Sequence, residues 1–177
     1  MNYPEIALAG TMFHVLREAI VENDGLVSAF AAMDSSIMLF EVQLDPPLSE
    51  TIALSDFEKN LPIWKDQFAE RAKMFPTPRY EDLFLIGYEI GQLATWLIGT
   101  LPNMTEFPDV NSRKIKALES MEVIKELCAE CEEPITVREM LDSTANTIRA
   151  STNMDDLKTA ADQILDWRDN GAIFNLK

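Results

Sequence analysis

The chain has few of the residues from which catalytic, redox and metal sites are usually built. Its 177 residues include one histidine, His14, and two cysteines, Cys128 and Cys131. On a helix the two cysteines would lie one turn apart, as in redox sites and half of a metal site, but no second pair of ligands accompanies them. We therefore expect two small apolar side chains on a buried helix face, with no metal and no cofactor.

Motifs for common reactions are also missing. The sequence has no Glu-x-x-His pair for a di-iron bundle, no glycine-rich phosphate loop and no Gly-x-Ser-x-Gly elbow. His14 and Glu18, four residues apart, and Glu89, within an apolar stretch, are the remaining candidates for an enzyme. A His–Glu pair at this spacing is more often a solvent-edge pair, and a helical wheel puts Glu89 on the polar half. We expect no catalytic residues.

Basic side chains are scarce. The chain has 15 Lys and Arg against 30 Asp and Glu, a formal net charge of −15. Residues 1–111 carry 17 acidic and 6 basic side chains, and residues 112–177 carry 13 and 9. Such a charge repels nucleic-acid phosphates and anionic lipid, and it suits either a solubilising surface or a protein partner with a basic surface. The start of the chain lacks the basic residues of a signal peptide, so we expect a cytoplasmic protein without membrane association.

Helical periodicity, by contrast, is abundant. Apolar positions recur at helical spacing over 4–22, 55–75, 83–101, 112–132, 137–148 and 153–169. The run 83–101 is nearly as apolar as a membrane span, but Asp82, Glu89 and Gln92 gather on one half of its wheel. We therefore expect an amphipathic core helix, in which Gly87 and Gly91 let a neighbouring helix approach closely. Pro62 predicts either two short helices or one kinked helix over 55–75.

A second apolar pattern predicts a contact surface. Leu26, Phe30, Met33, Ile37, Phe40 and Leu44 recur in steps of four and three, which indicates the seam of a helix, although 37–44 also alternates as a strand would. This seam has more apolar face than one neighbour covers, so we expect self-association into a homodimer. The candidate interface residues are Leu26, Phe30, Ile37, Trp167, Ile173 and Phe174.

The predicted fold is all-α, with a short strand or docked tail at 172–176. An acidic helical domain would span 1–101 and a second helical domain 112–177. Between them, residues 102–111 contain two prolines and little periodicity, which is typical of a linker.

Residues 115–176 resemble the winged-helix superfamily, although no particular family within it. The resemblance rests on a first helix, a break at Pro134, a capping box at 136–139, a third helix, and an exit at Asn170-Gly171-Ala172-Ile173 into a wing strand. It implies that 153–169 would be the recognition helix in the DNA major groove. The leading turns of that helix, however, carry Asp155, Asp156 and Asp162 against Lys158, whereas groove binding uses cations and donors.

These observations lead to three hypotheses. The first is a non-enzymatic protein-interaction or regulatory protein that acts through helical surfaces. The second is a DNA-binding transcriptional regulator that uses the C-terminal unit. The third is an acidic mimic or inhibitor of a nucleic-acid-binding protein.

Overall fold

The computed structural model describes residues 3–22, 26–28, 44–48, 51–72, 83–98, 109–129 and 134–169. These residues form six α-helices, and the predicted all-α class is confirmed. The helices are α1 (Tyr3–Glu22), α2 (Leu54–Ala72), α3 (Leu83–Ile98), α4 (Val110–Leu127), α5 (Pro134–Ala150) and α6 (Met154–Asp169). Two short strands, β1 (Leu26–Ser28) and β2 (Thr51–Ala53), pair antiparallel. The predicted terminal strand at 172–176 lies outside the described residues.

Helix α3 lies at the centre of the packing. It contacts α1, α2, α4 and α6, and its apolar half is buried while Glu89 and Gln92 remain partly exposed. The prediction of an amphipathic core helix is therefore confirmed. Within the described ranges, the structure has no helix long and apolar enough to cross a membrane.

Glycines bring α1 and α3 into backbone contact. A Cβ atom built on Gly87 would lie 1.7 Å from the carbonyl oxygen of Ala7, and one on Gly10 would lie 1.9 Å from that of Phe84. Real Cβ atoms do not come so close, so only glycine fits at these two positions. The close approach predicted from the Gly-x-x-x-Gly spacing is confirmed at Gly87 and, less tightly, at Gly91.

Aromatic side chains fix α2 against this pair of helices. Phe13 of α1 contacts four other rings at centroid distances of 5.1 to 6.2 Å, namely Phe57, Trp64, Phe68 and Phe84. Tilted and edge-to-face rings of this kind stabilise a core beyond their burial alone. The indole Nε1 of Trp64 also donates to the carbonyl of Pro46 at 2.7 Å and so anchors residues 44–48. Helix α2 continues through Pro62, which decides between the two alternatives for 55–75 in favour of one helix.

The C-terminal helices are joined by polar caps. The side chain of Asp109 accepts a hydrogen bond from the amide of Ser112 at 2.9 Å and starts α4. The ammonium of Lys114 donates to the carbonyls of Arg149 at 2.5 Å and Ser151 at 2.9 Å, which satisfies the end of α5. Helix α5 itself starts at Pro134, because proline suits a first helical position. The predicted capping box at Thr136 is therefore wrong, since that residue lies inside the helix.

The predicted helical seam from Leu26 is also wrong at its start. Leu26, Val27 and Ser28 form β1, with Leu26 opposite Ala53 in the register of the pair. The partner strand lies more than 20 residues further along the chain, at 51–53. The local spacing of apolar residues around Leu26 therefore could not reveal this pairing. Residues 29–43, including the part with the strand alternative, lie outside the described residues.

The core continues across the predicted domain boundary. One hydrophobic cluster includes residues of all six helices, among them Phe13 of α1, Met121 of α4 and Ile164 of α6. Most of the predicted linker, 102–108, is outside the described part of the chain, and the division into two domains stays a prediction.

Candidate functional site

The outer face of α6 is the candidate interface. Asp155, Asp162 and Asp169 recur every seven residues, so they lie along one exposed side of the helix at steps of about 10 Å. Asp166 is exposed between the last two of them. Lys158 is the basic residue on the same side. The carboxylates give this face, which we call the α6 acidic face, a negative potential.

The other cation of α6 is largely buried and reaches the α6 acidic face only at Asp169. Arg168 is 6% exposed, and its Nη1 donates to the hydroxyl of Thr11 at 3.0 Å. Its Nη2 also forms an ion pair with Asp169 at 2.6 Å. A guanidinium held in this way is not available to a phosphate at the surface. Arginine is the side chain best suited to DNA contact, but here it stabilises the protein interior instead.

Thr11 also forms a hydrogen bond to α3. Its hydroxyl donates to the carbonyl of Gly87 at 2.7 Å, where α1 and α3 are closest, and it accepts from Arg168. The resulting Thr11–Arg168 bridge connects three helices through one oxygen. The two residues are 157 positions apart, and no local pattern could have paired them.

Asp156 stabilises the N-terminal end of α6. It accepts hydrogen bonds from the amide of Thr152 at 2.8 Å and the side-chain amide of Asn153 at 3.1 Å, while the amide of Asp156 donates to Asn153 at 3.0 Å. The Thr152 amide bond in particular lowers the pKa of the Asp156 carboxyl. Asn153 thus caps the start of α6. Asp156 is therefore part of the cap, while Asp155 and Asp162 remain free for outward contacts.

His14 lies inside the protein, against α3. It is 3% exposed, its Nε2 lies 3.2 Å from the hydroxyl of Thr95, and its ring meets Tyr88 edge-on at 5.1 Å. Burial, helped by the positive charge of Arg17, lowers the pKa of His14 to about 4. A general base works best with a pKa near the operating pH, so the buried imidazole is poorly matched to proton transfer near neutrality.

The carboxylates near His14 have other neighbours. Glu18 is bound by Arg17 at 3.0 Å, and Arg17 also reaches Glu58 of α2 at 3.2 Å. Desolvation raises the pKa of Glu89, which is half-buried, and raises the pKa of Tyr88 to about 12. The structure thus places His14 in edge-on contact with Tyr88, while Glu18 pairs with Arg17, so His14 and Glu18 do not form a dyad.

The described ranges include a small cavity beside a buried cysteine. A cavity with room for about one water, of volume ≈ 10 Å³, lies beside Cys128 between α4 and α5 and is lined also by Lys125, Val137 and Arg138. Cys128 itself is buried. Among the residues that the structure describes, no three His, Cys, Asp or Glu side chains are grouped as metal ligands would be.

Few of the predicted interface residues can be located. Leu26 lies in β1, and Trp167 is partly buried against the core. Phe30, Ile37, Ile173 and Phe174 are outside the described residues, and the predicted seam and tail contact stay predictions. The structure instead exposes two apolar residues of α4, Ile115 and Val123, at 60% and 40%.

The described fold and surface define an acidic, all-α protein. Comparison with protein-family models, curated proteins and solved structures finds no match to this chain.

Proposed function

We propose that this protein is a non-enzymatic interaction or regulatory protein whose α6 acidic face binds a protein partner with a basic surface. One observation carries the proposal: the helix exposes Asp155 and Asp162 while Arg168 is turned inward onto Thr11. A helix that read DNA would expose its guanidinium and keep carboxylates away from the phosphates. A basic protein surface is the complementary partner, and attraction between opposite charges would speed the encounter.

The winged-helix resemblance remains part of the proposal as a shape. Helices α4, α5 and α6 follow one another in the order that the resemblance requires, with a three-residue connection at Ser151–Asn153. We propose that this helical unit serves protein contact. A basic partner that itself binds nucleic acid would place the α6 acidic face where phosphates bind, which is the mimic hypothesis.

Charge removal at matched positions tests the proposal. The variant D155N/D162N removes one first-turn and one mid-helix carboxylate from α6, and D56N/D66N removes an equivalent exposed pair from α2. Each tagged protein is used to capture partners from nuclease-treated lysate of the native host. We expect a basic protein to be recovered by the wild type and by D56N/D66N but lost by D155N/D162N. Equal recovery by all three would contradict the proposal.

The DNA-binding alternative has its own readout. Duplex DNA labelled for fluorescence anisotropy should not bind the wild-type protein at physiological salt, because a net charge of −15 repels phosphates. Tight binding that falls steeply with added salt would favour a transcriptional regulator instead.

Homodimer formation, also a proposal, is tested by light scattering at tens of micromolar protein.

A further inference from the structure

Helix α4 exposes apolar residues on its outer side in addition to burying those of its core-facing side. Ile115, Glu119, Val123 and Leu127 follow one another in steps of four and form one ridge along the helix, which we call the α4 ridge. Ile115 is 60% exposed and Val123 40%, while Leu127 is partly buried. Polar residues of the same helix, Arg113 and Ser120, are meanwhile buried.

This distribution is unusual for a solvent-facing helix. Single exposed apolar residues are common on proteins. Here the two exposed ones lie on the same ridge and continue into a third, over about 18 Å from Ile115 to Leu127. A ridge of about three helical turns has the dimensions at which another helix packs, with its own side chains lying in the grooves beside it.

The charges around the ridge indicate the kind of helix that would fit. Exposed Glu119, Glu122 and Glu126 lie along it. Lys116 pairs with Glu119 at 2.7 Å. Lys125 lies 3.1 Å from Glu122 but only 2.7 Å from Asp142 of α5, so it is shared with a fourth carboxylate. The surroundings of the ridge therefore keep an excess of negative charge.

We propose that the α4 ridge is a docking surface for an amphipathic helix of a partner protein, with basic residues beside its apolar stripe. The apolar stripe would cover Ile115 and Val123, and the basic residues would meet Glu119 and Glu126. A second copy of this chain fits less well, because it would bring the same carboxylates against each other. The proposal rests on the proposed function: the basic partner would contact the α4 ridge in addition to the α6 acidic face.

A designed peptide tests the ridge directly. The probe is a fluorescent peptide of leucine and lysine, about 18 residues long, with its leucines at helical spacing, and its scrambled form has the same composition. The variant I115S/V123S removes the exposed apolar residues, and V15S/I63S removes a matched pair that is 51% and 43% exposed on α1 and α2. Both pairs lie at the surface, and circular dichroism confirms folding before binding is measured by anisotropy.

We expect I115S/V123S to weaken peptide binding by about tenfold or more, and V15S/I63S to leave it within about twofold. E119Q/E126Q should weaken binding more than D56N/D66N does and should reduce its dependence on salt. The inference is overturned if the wild type does not bind, if both apolar pairs weaken binding equally, or if the scrambled peptide binds as well. Loss of binding in D155N/D162N alone would also overturn it, while leaving the proposed function intact.

Discussion

At the scale of single residues, space and solvation decide which side chain is tolerated. Gly87 and Gly10 are required because the backbone of a neighbouring helix occupies the position of a Cβ atom. His14 is held neutral because its burial between α1 and α3 removes the water that would solvate a charge. Both effects come from the same close contact of two helices, and each leads to a measurable consequence.

Substitution of Gly87 by alanine should be strongly destabilising. The added methyl group would overlap the carbonyl of Ala7 and push α1 from α3, at a cost of about 3 kcal/mol or more. At Gly91 the nearest atoms are 3.1 and 3.2 Å away and belong partly to side chains, so the gain in helix propensity of up to about 1 kcal/mol offsets most of the crowding. Urea unfolding of G87A and G91A measures the difference, and equal stability of the two would contradict this account.

The pKa of His14 should make stability depend on pH in mildly acidic solution. The pKa of His14 is about 4 in the folded protein against 6.5 for an unperturbed histidine, so the folded state resists protonation. The contribution is therefore complete above pH 6.5 and is lost as the pH falls towards 4, by about 3 kcal/mol in total. Glu89, whose pKa is raised, acts in the opposite direction as it becomes protonated.

Nuclear magnetic resonance can follow this titration without assignment, because His14 is the single histidine of the chain. We expect its ring protons to titrate with a pKa about 4, and H14Q to flatten the loss of unfolding free energy between pH 6.5 and 4.5. The E89Q background removes the opposing effect of the carboxyl. A histidine pKa close to 6.5 would show that the ring is solvated.

At the scale of helices, polar contacts set how the elements are joined. Lys114 holds the end of α5, the Asn153–Asp156 pair starts α6, and the Thr11–Arg168 bridge fixes the last turn of α6 to α1 and α3. Hydrophobic periodicity places each helix in the core but leaves its rotation and axial position loosely defined. A buried hydrogen bond with one acceptable geometry removes that freedom.

The Thr11–Arg168 bridge should therefore behave as one unit. T11V removes the shared hydroxyl with little change in shape, and R168M removes the guanidinium while keeping an apolar side chain. Each change should cost about 1–3 kcal/mol because the remaining partner stays buried and loses the hydrogen bond that joined the two side chains. The double variant should cost less than both single changes together, as shown by a double-mutant cycle in urea. Additive effects would mean that the two groups do not depend on each other.

At the scale of the whole molecule, the net charge of −15 affects the stability of the fold. Many carboxylates repel one another across the surface, and this repulsion is greater in the compact folded state than in the expanded chain. The exposed ion pairs, such as Arg17–Glu58, compensate only weakly. Basic partners would relieve the repulsion on binding.

Added salt should consequently raise the melting temperature. Screening between about 20 and 200 mM sodium chloride shortens the range of the repulsion, and we expect an increase of a few degrees. D56N/D66N, which carries two fewer negative charges, should have a higher melting temperature at low salt. Its melting temperature should also rise less when salt is added. Thermal denaturation followed by circular dichroism measures both curves, and a melting temperature that falls with salt would show that attractive pairs dominate.

Much of this protein could be predicted from its sequence alone. The apolar spacing of 4–22, 83–101 and 153–169 identifies α1, α3 and α6, because an amphipathic helix repeats its buried face every three or four residues. The glycine spacing predicts the close contact of α3 with a neighbour, and composition determines the acidity. Helical periodicity and glycine spacing depend only on residues close together in the sequence, and the net charge depends only on the number of charged residues.

Tertiary structure decided the rest. Only packing shows that Ile115 and Val123 face outward, that Leu26 pairs in a strand with Ala53, and that Arg168 turns inward to Thr11. Each of these outcomes depends on atoms supplied from a distant part of the chain, and the local pattern is compatible with either orientation. The acidic character of the α6 face was therefore present in the sequence, but the inward turn of its arginine to Thr11 was settled only by folding.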